Sequence, residues 1–250
     1  MTRSRAALIY LLPGLLLLAA CSALALFLWY PYPFRQLPES GKFSTLLIIC
    51  PVFIGPALAR LVHKPGKSGR ALAFDLVVIG LVQLLAMAWG AYTLHLARPS
   101  FMVFAVDRFE TLSRRDVTHP IINPDFQKTP LSGPLPLYAN MPADSEQFQK
   151  LLREVMFEGK PDLPFRPEFW SSYADRQHLV LQVARPLSEL RQARPAAGAD
   201  IDALVQNNGG DITKLQFVPG LIGDGSFTVV IDGGTGAIGG YLDTDPWINE

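Results

Sequence analysis

The sequence predicts a membrane protein with three transmembrane α-helices followed by an α+β domain that contains an antiparallel sheet. Three long apolar runs occupy the first hundred residues, at about 6–30, 43–62 and 71–97. At about 1.5 Å per residue, each run can cross a hydrocarbon layer of roughly 30 Å. Beyond them, short strand-like and helix-like segments alternate with Pro- and Gly-rich turns. We therefore predict a membrane domain at 1–98 and a water-soluble domain at 99–250.

The overall composition limits the class of partner. The 250 residues include 22 acidic and 22 basic side chains. A nucleic-acid partner would require a basic surface that neutralises phosphates, so we expect none. Both cysteines, Cys21 and Cys50, lie inside apolar runs. No disulfide framework is therefore expected to support the soluble domain.

The first apolar run has two competing interpretations besides a membrane anchor. A cleaved signal peptide would have an apolar region of about 7–15 residues, which is shorter than this run. The tetrapeptide from Leu18 to Cys21 matches a bacterial lipoprotein cleavage site, but apolar sequence continues beyond it to Trp29. We interpret the run as an anchor helix, and whether the Leu18–Cys21 site is ever processed is left open.

Basic residues determine the predicted orientation in the membrane. They cluster before the first run and around the loop 63–70, between the second and third runs. The positive-inside rule places both clusters in the cytoplasm. We therefore expect a multi-pass protein of the bacterial inner membrane, with the domain 99–250 in the periplasm. The topology-setting residues are Arg3, Arg5, Arg60, Lys64, Lys67 and Arg70.

The second apolar run contains helix-breaking residues. Pro51 and the pair Gly55-Pro56 lie inside it. Proline removes a backbone donor and disfavours a straight helix, and within lipid the freed carbonyl groups need partners from neighbouring helices or water. We predict a kinked helix that packs against other helices, and the simplest role of the kink is architectural.

The third apolar run carries a stripe of small and polar side chains. Gln83, Ala86, Gly90 and Thr93 recur at helical spacing, and such stripes allow close helix packing and interhelical hydrogen bonds in membranes. We predict that this stripe packs against another helix or contacts a partner. Asp75 lies at its edge, and we interpret it as an interfacial anchor complementing the helix dipole rather than as a proton or ion relay.

The soluble domain is predicted from hydrophobic periodicity and turn signals. A strand is expected at 101–106, and helices are expected at 144–159, 168–183 and 200–206. A further strand at 214–218 precedes a hairpin formed by 227–231 and 237–242.

No chemistry of catalysis is apparent in the sequence. The four histidines are scattered without metal-ligand spacing, and no nucleophile elbow is present. Aspartates beside glycines near the C-terminus lack the ligand spacing of an EF-hand calcium loop, and Asp-Gly is typical of hairpin turns. We expect no catalytic, cofactor-binding or metal-binding residues and no cofactor, so the chain is predicted not to be an enzyme.

Several motifs resemble one known family. They are the basic loop, Gly55-Pro56, Phe74-Asp75-Leu76 with Leu81-Val82-Gln83, Ala97-Arg98-Pro99, the segment from Val103 to Phe109, Gly240-Tyr241-Leu242 and Asp245-Pro246-Trp247. Together they resemble the type IV pilin accessory proteins of the TfpX/TfpZ type, over essentially the whole chain. Members of that family carry an acidic residue shortly before the Gly-Pro pair, whereas this chain has Cys50-Pro51. If that acid has a role, this chain lacks it or supplies it through Asp75.

The resemblance implies a function without catalysis. It implies an inner-membrane protein that assists or modulates the assembly and dynamics of type IV pili, and hence twitching motility, by contacting a cognate pilin. Further partners would be the pilus assembly machinery and membrane lipids, and the oligomeric state is undetermined. One alternative is a membrane-anchored periplasmic sensor or ligand-binding protein. A less favoured alternative is a membrane enzyme that modifies pilin.

Overall fold

A 29-residue α-helix, α1 (Gly69–Ala97), is followed after a single residue by the first strand of a β-sheet. The helix ends where it does because Arg98 precedes Pro99, and proline disfavours the helical conformation of the residue before it. The computed structural model describes residue 20, residues 25–34 and residues 69–248. These belong to two compact units, of which the first includes α1 and the second comprises residues 30–34 together with the chain from Pro99 onward.

The second unit is built from eight strands and five α-helices within the described residues. The strands are β1 (Pro99–Ala105), β2 (Arg108–Ser113), β3 (Leu135–Ala139), β4 (Trp170–Ser172), β5 (Arg185–Pro186), β6 (Leu215–Ile222), β7 (Gly225–Asp232) and β8 (Ile238–Leu242). The helices are α2 (Pro124–Gln127), α3 (Ser145–Glu158), α4 (Tyr173–Val180), α5 (Leu187–Ala193) and α6 (Gly198–Asn207). Short 3₁₀ turns lie at Leu163–Phe165, Pro167–Phe169, Pro195–Ala197 and Ile212–Lys214.

The strands form one mixed sheet in the order β4-β3-β1-β2-β6-β7-β8, and β5 also pairs with β6. Two of the pairings are parallel. Phe101 of β1 lies opposite Leu135 of β3, and Phe109 of β2 lies opposite Gly220 of β6. Parallel neighbours require long crossover connections. The Pro-rich segment that carries α2 helps to make the first crossover, and the chain from α2 through α5 and α6 makes the second.

β1 is buried along its whole length, and its side chains enter two cores. Phe101, Val103 and Ala105 pack in one core, while Met102 and Phe104 pack in the other. Successive side chains of a strand point to opposite faces of the sheet, so both faces of β1 are covered. A strand that is covered on both faces typically consists of consecutive apolar residues, and residues 101–106 follow this pattern.

Different helices cover the two faces. On the face of Met102 and Phe104, α4 contributes Tyr173 and Val180. On the opposite face, α3 packs Leu151 against the β1 end of the sheet. The apolar side chains of α5 and α6 cover the other end of that same face, near β6 and β7; they are Leu187, Leu190, Ile201 and Val205.

The predicted fold class is wrong on two points. First, a three-helix membrane domain was predicted, but the described residues contain one helix long and apolar enough to cross a membrane, with its qualifying window at Gly80–Ala97 in α1. The predicted helix 43–62 lies outside the described residues, as does most of 6–30, of which Ala25–Trp29 forms a π-helical turn. Second, the sheet is mixed rather than antiparallel, because its long crossovers bring β3 and β6 alongside earlier strands in the same direction.

The predictions for individual elements had mixed outcomes. The helix at 144–159 is confirmed as α3, with Asp144 as its N-cap and Gly159 in the left-handed conformation at its end. The Asp144 carboxylate accepts from the backbone N–H of Glu146 at 3.3 Å. The predicted helix 168–183 is shorter, because Trp170–Ser172 pairs with β3 as β4. β2, β3 and β5 were not predicted.

Candidate interaction surfaces

The predicted small-residue stripe lies on the covered side of α1. Gly90 is buried, and Ala86 and Thr93 are half-buried. The backbone of Asp75 and Gln83 belongs to α1, but their side chains are outside the part of the chain that the structure describes. The structure therefore brings three of the five residues together on one helix face, and their contact with a partner remains a prediction.

Much of the remaining surface of α1 exposes large apolar side chains. They are Phe74, Val77, Val78, Leu81, Val82, Leu84, Leu85, Trp89 and Tyr92. Exposed fractions reach 70% for Phe74 and 71% for Trp89. A continuous apolar surface of this length is suited to lipid or to an apolar helix rather than to water. Near the end of α1, His95 makes an edge-to-face ring contact with Trp29, with centroids 5.3 Å apart.

Most of the other predicted residues lie outside the described ranges. The predicted kink residues Pro51, Gly55 and Pro56 are not within residues 25–34 or 69–248. The same holds for all the topology-setting residues except Arg70, which is exposed in the first turn of α1. Among the described residues, no group of three or more His, Cys, Asp or Glu side chains could hold a metal ion.

Residues 30–34 form part of the second unit, which sequence reasoning did not predict. Phe34 is only 1% exposed and makes edge-to-face ring contacts with Phe227 and Tyr241, at centroid distances of 5.5 and 5.2 Å. The backbone N–H of Asp243 donates to the Tyr32 hydroxyl at 2.5 Å. The only sequence signal was an apolar side chain within a short Pro-rich segment, which does not reveal a distant partner strand.

A groove lies between the β1–β2 turn and α3. Its cavity has a volume of about 410 Å³ and is lined mainly by apolar side chains, including Val106, Met141, Phe148, Leu152 and Val155. Three of them are well exposed, at 64% for Val106, 47% for Met141 and 43% for Leu152. α3 faces this groove because its apolar residues recur at helical spacing, and Leu151 on the same face reaches the core.

The turn that forms one wall of the groove is strained. Val106 has a φ of 60°, and the backbone N–H of Asp107 donates to the carbonyl oxygen of Ala105 at 2.7 Å. This bond closes a three-residue turn with Val106 at its centre. Such turns are rare, and a positive φ is an outlier for a β-branched residue. The fold thus keeps the apolar side chain of Val106 exposed to solvent on a strained backbone. Strained residues of this kind cluster at functional sites.

The polar end of the groove is acidic. It is lined by Asp107, Glu110 and Asp162, with Arg108 as the single basic residue. Arg108 Nε lies 3.3 Å from Glu110 Oε1, and Arg108 Nη1 lies 3.8 Å from Asp107 Oδ1. Burial raises the pKa of Glu110 above its usual value, although the neighbouring Arg108 opposes that change. The carboxylate is therefore poorly solvated and would gain from a further cation.

The other flank of α3 borders a polar cavity of about 520 Å³. Beside it, Arg166 Nη1 lies 2.6 Å from Glu154 Oε2, and Lys160 Nζ lies 3.1 Å from Glu154 Oε1. Hydrogen bonds from Arg166 and then Lys160 lower the pKa of Glu154 to about 2. Arg166 Nε also donates to the carbonyl oxygen of Pro161 at 2.7 Å. This network ties the end of α3 to the following loop, which is a structural role.

Comparison with known proteins identifies the relatives of this chain. It is 29% identical to the fimbrial assembly protein of serogroup I of Dichelobacter nodosus over 184 residues, which cover 72% of this chain and 71% of the relative. The serogroup E1 protein matches to the same extent. The protein of serogroups C1 and C2 is 32% identical over 109 residues, 44% of this chain and 83% of that relative. No family model and no solved structure matches the chain.

These matches define the class of protein. This chain, in which a long apolar helix is followed in sequence by a mixed-sheet domain, is similar over most of its length to proteins named for fimbrial assembly. The chain belongs to the family of fimbrial assembly proteins.

Proposed function

We propose that this chain is a non-catalytic accessory protein of type IV fimbriae, of the TfpX/TfpZ type, and that it acts by contacting the cognate fimbrial subunit. The observation that carries the proposal is the similarity to three fimbrial assembly proteins. The motifs that resemble pilin accessory proteins support the finer assignment. A binding role also agrees with the apolar groove beside α3, which offers a contact surface on the second unit.

We place the protein in the bacterial inner membrane, anchored through α1. The apolar length of α1 supports this location, and so does the exposed row of large apolar side chains along it. Arg70, in the first turn of α1, follows the basic residues of 60–67, so the positive-inside rule puts this end of the helix in the cytoplasm. The domain that begins at Pro99 would then lie in the periplasm.

We further propose that α1 contacts the apolar helix of the fimbrial subunit within the bilayer. Two sides of the helix are candidates for this contact, namely the exposed large apolar side at Leu85 and Trp89 and the largely covered small-residue side at Ala86 and Gly90. Small residues let helix backbones approach closely, and large apolar side chains supply packing area.

The contact is tested by photocrosslinking in living cells. A photoreactive amino acid is placed at Ala86 or at Leu85 of the full-length chain, and the captured protein is identified by its mass. We expect the fimbrial subunit to be captured from at least one of these positions. Placement at Phe157, which is 81% exposed on α3, serves as a control for non-specific capture. Capture of only lipid or unrelated proteins from both positions would contradict the contact.

A further inference from the structure

The groove beside α3 has an apolar interior and an acidic end, and nothing in the described part of the second unit fills it. Its cavity of about 410 Å³ is within the range of sites that accept bulky groups. Val106, Met141 and Leu152 remain exposed along its walls although most large apolar side chains of the unit are buried. An apolar groove with a charged end favours a ligand that has both an apolar and an oppositely charged part.

We propose that this groove is the docking site for the globular part of the fimbrial subunit, and that the subunit inserts one bulky apolar side chain with a Lys or Arg side chain next to it. The inference rests on the proposed function, because the occupant is taken to be the fimbrial subunit. It goes beyond that function in assigning the contact to one surface of the second unit.

Charge complementarity determines the chemistry of the occupant. The acidic end of the groove has three carboxylates and one guanidinium, so its formal charge is −2. The residues are Asp107, Glu110, Asp162 and Arg108. Glu110 is only 21% exposed at its side chain and shares Arg108 with Asp107. An arriving Lys or Arg side chain would supply the missing positive charge, and an acidic segment would be repelled.

The strained turn at Val106 supports a docking role over a purely structural one. A glycine at this position would adopt the same backbone conformation without the steric penalty of a β-branched side chain. The valine therefore contributes an exposed apolar surface at the cost of local strain. Since the side chain is 64% exposed, the folded unit itself gains little from it.

The test is photocrosslinking from Met141 in the full-length chain, expressed together with the fimbrial subunit. We expect a crosslinked product that contains the subunit, and we expect little from a probe at Phe157, which lies on the same helix but outside the groove. Capture of a second copy of this chain, of a different protein, or of no protein from Met141 would overturn the assignment.

Two pairs of variants make the test quantitative. Leu152→Asp should lower the crosslink yield from Met141 by about tenfold, the size expected on losing one anchoring contact, while Phe157→Asp should leave it unchanged. Asp107→Lys should also lower the yield, whereas Asp175→Lys, which alters an exposed aspartate on α4, should not. Equal yields within either pair would contradict the proposed apolar or charged contact, respectively.

Val106→Gly separates docking from folding. This variant should melt at the same temperature as the wild type or above it, because strain is relieved, yet give a several-fold lower crosslink yield. A crosslink yield equal to that of the wild type would overturn the assigned role of Val106. If the groove variants keep full crosslinking and fimbriation while deletion of the whole chain abolishes surface fimbriae, the groove assignment fails and the proposed function stands.

Discussion

Phe34 illustrates how one residue joins distant parts of the chain. It lies more than sixty positions before β1, yet it is buried against Phe227 and Tyr241 in the core that also holds Met102 and Phe104. An aromatic side chain of this kind contributes both buried area and specific ring contacts. Its location makes residues 30–34 part of the folded domain rather than a simple connection.

Phe34→Ala should therefore destabilise the second unit strongly. Removal of a buried phenylalanine leaves a cavity and costs about 3–5 kcal/mol of unfolding free energy. Phe157→Ala, at a phenylalanine that is 81% exposed, is the matched control and should change the unfolding free energy by no more than about 0.5 kcal/mol. Thermal unfolding of the full-length chain measures both. Similar melting temperatures for the two variants would contradict the packing of Phe34.

Glu154 should make the stability of the protein depend on pH in the acid range. Arg166 and Lys160 lower its pKa to about 2 in the folded state, whereas the usual value is 4.5. A carboxyl group with a depressed folded-state pKa contributes stability that is fully present above pH 4.5 and is lost as the pH falls towards 2. Chemical unfolding at several pH values should show a smaller loss over that window for Glu154→Gln than for the wild type. Equal losses would contradict this role.

At the scale of elements, the turn between β7 and β8 is fitted against α4. Gly236 has a φ of 76°, and its carbonyl oxygen accepts from the Tyr173 hydroxyl at 2.6 Å. A Cβ atom built at Gly236 would lie 2.6 Å from the carbonyl oxygen of Gln177 in α4. This turn thus depends on glycine both for its backbone conformation and for its close approach to the helix.

Gly236→Ala should destabilise the second unit by about 1–3 kcal/mol, from the strained conformation alone. Gly234→Ala in the same turn is the control, because a Cβ there would meet nothing closer than the Asp232 carboxylate oxygen at 3.4 Å. Urea unfolding of the two variants tests the difference. If Gly236→Ala were as stable as Gly234→Ala, the described fit of the turn against α4 would be wrong.

Local signals in the sequence predicted some elements well. α3 was recognisable because Asp144, the apolar spacing and Gly159 all mark the same helix. β3 and β4 were not recognisable, because both depend on which distant strand each segment meets. β2 was missed because its alternating pattern is short and follows the strained turn at Val106, where no glycine signals a hairpin.

At the scale of the whole molecule, the second unit is discontinuous in sequence. It combines residues 30–34, which precede α1 in the sequence, with the chain from Pro99 onward, which follows α1. Hydrophobic patterning placed the start of the soluble domain at residue 99, but patterning within one segment carries no information about a distant partner such as Asp243, which lies 211 residues after Tyr32. The groove beside α3 could not be predicted from the sequence for the same reason, since its walls come from three separate segments.

A fragment of residues 99–250 should therefore be less stable than the same fragment with 30–34 restored through a flexible linker. The restored segment supplies Phe34 to the core and the Tyr32 hydroxyl to the backbone of Asp243. The substitution Phe34→Ala in the restored segment should remove most of the gain in melting temperature. Thermal unfolding of the three fragments measures this, and equal melting temperatures for the first two would contradict the discontinuous unit.

The role in fimbrial assembly is tested most directly by the ratio of surface fimbriae to total fimbrial subunit in a clean deletion strain. We predict that the subunit remains present while surface fimbriae fall or change in their extension and retraction, and that the full-length chain supplied from a plasmid restores them. A deletion strain with the wild-type ratio and normal twitching motility would contradict the account.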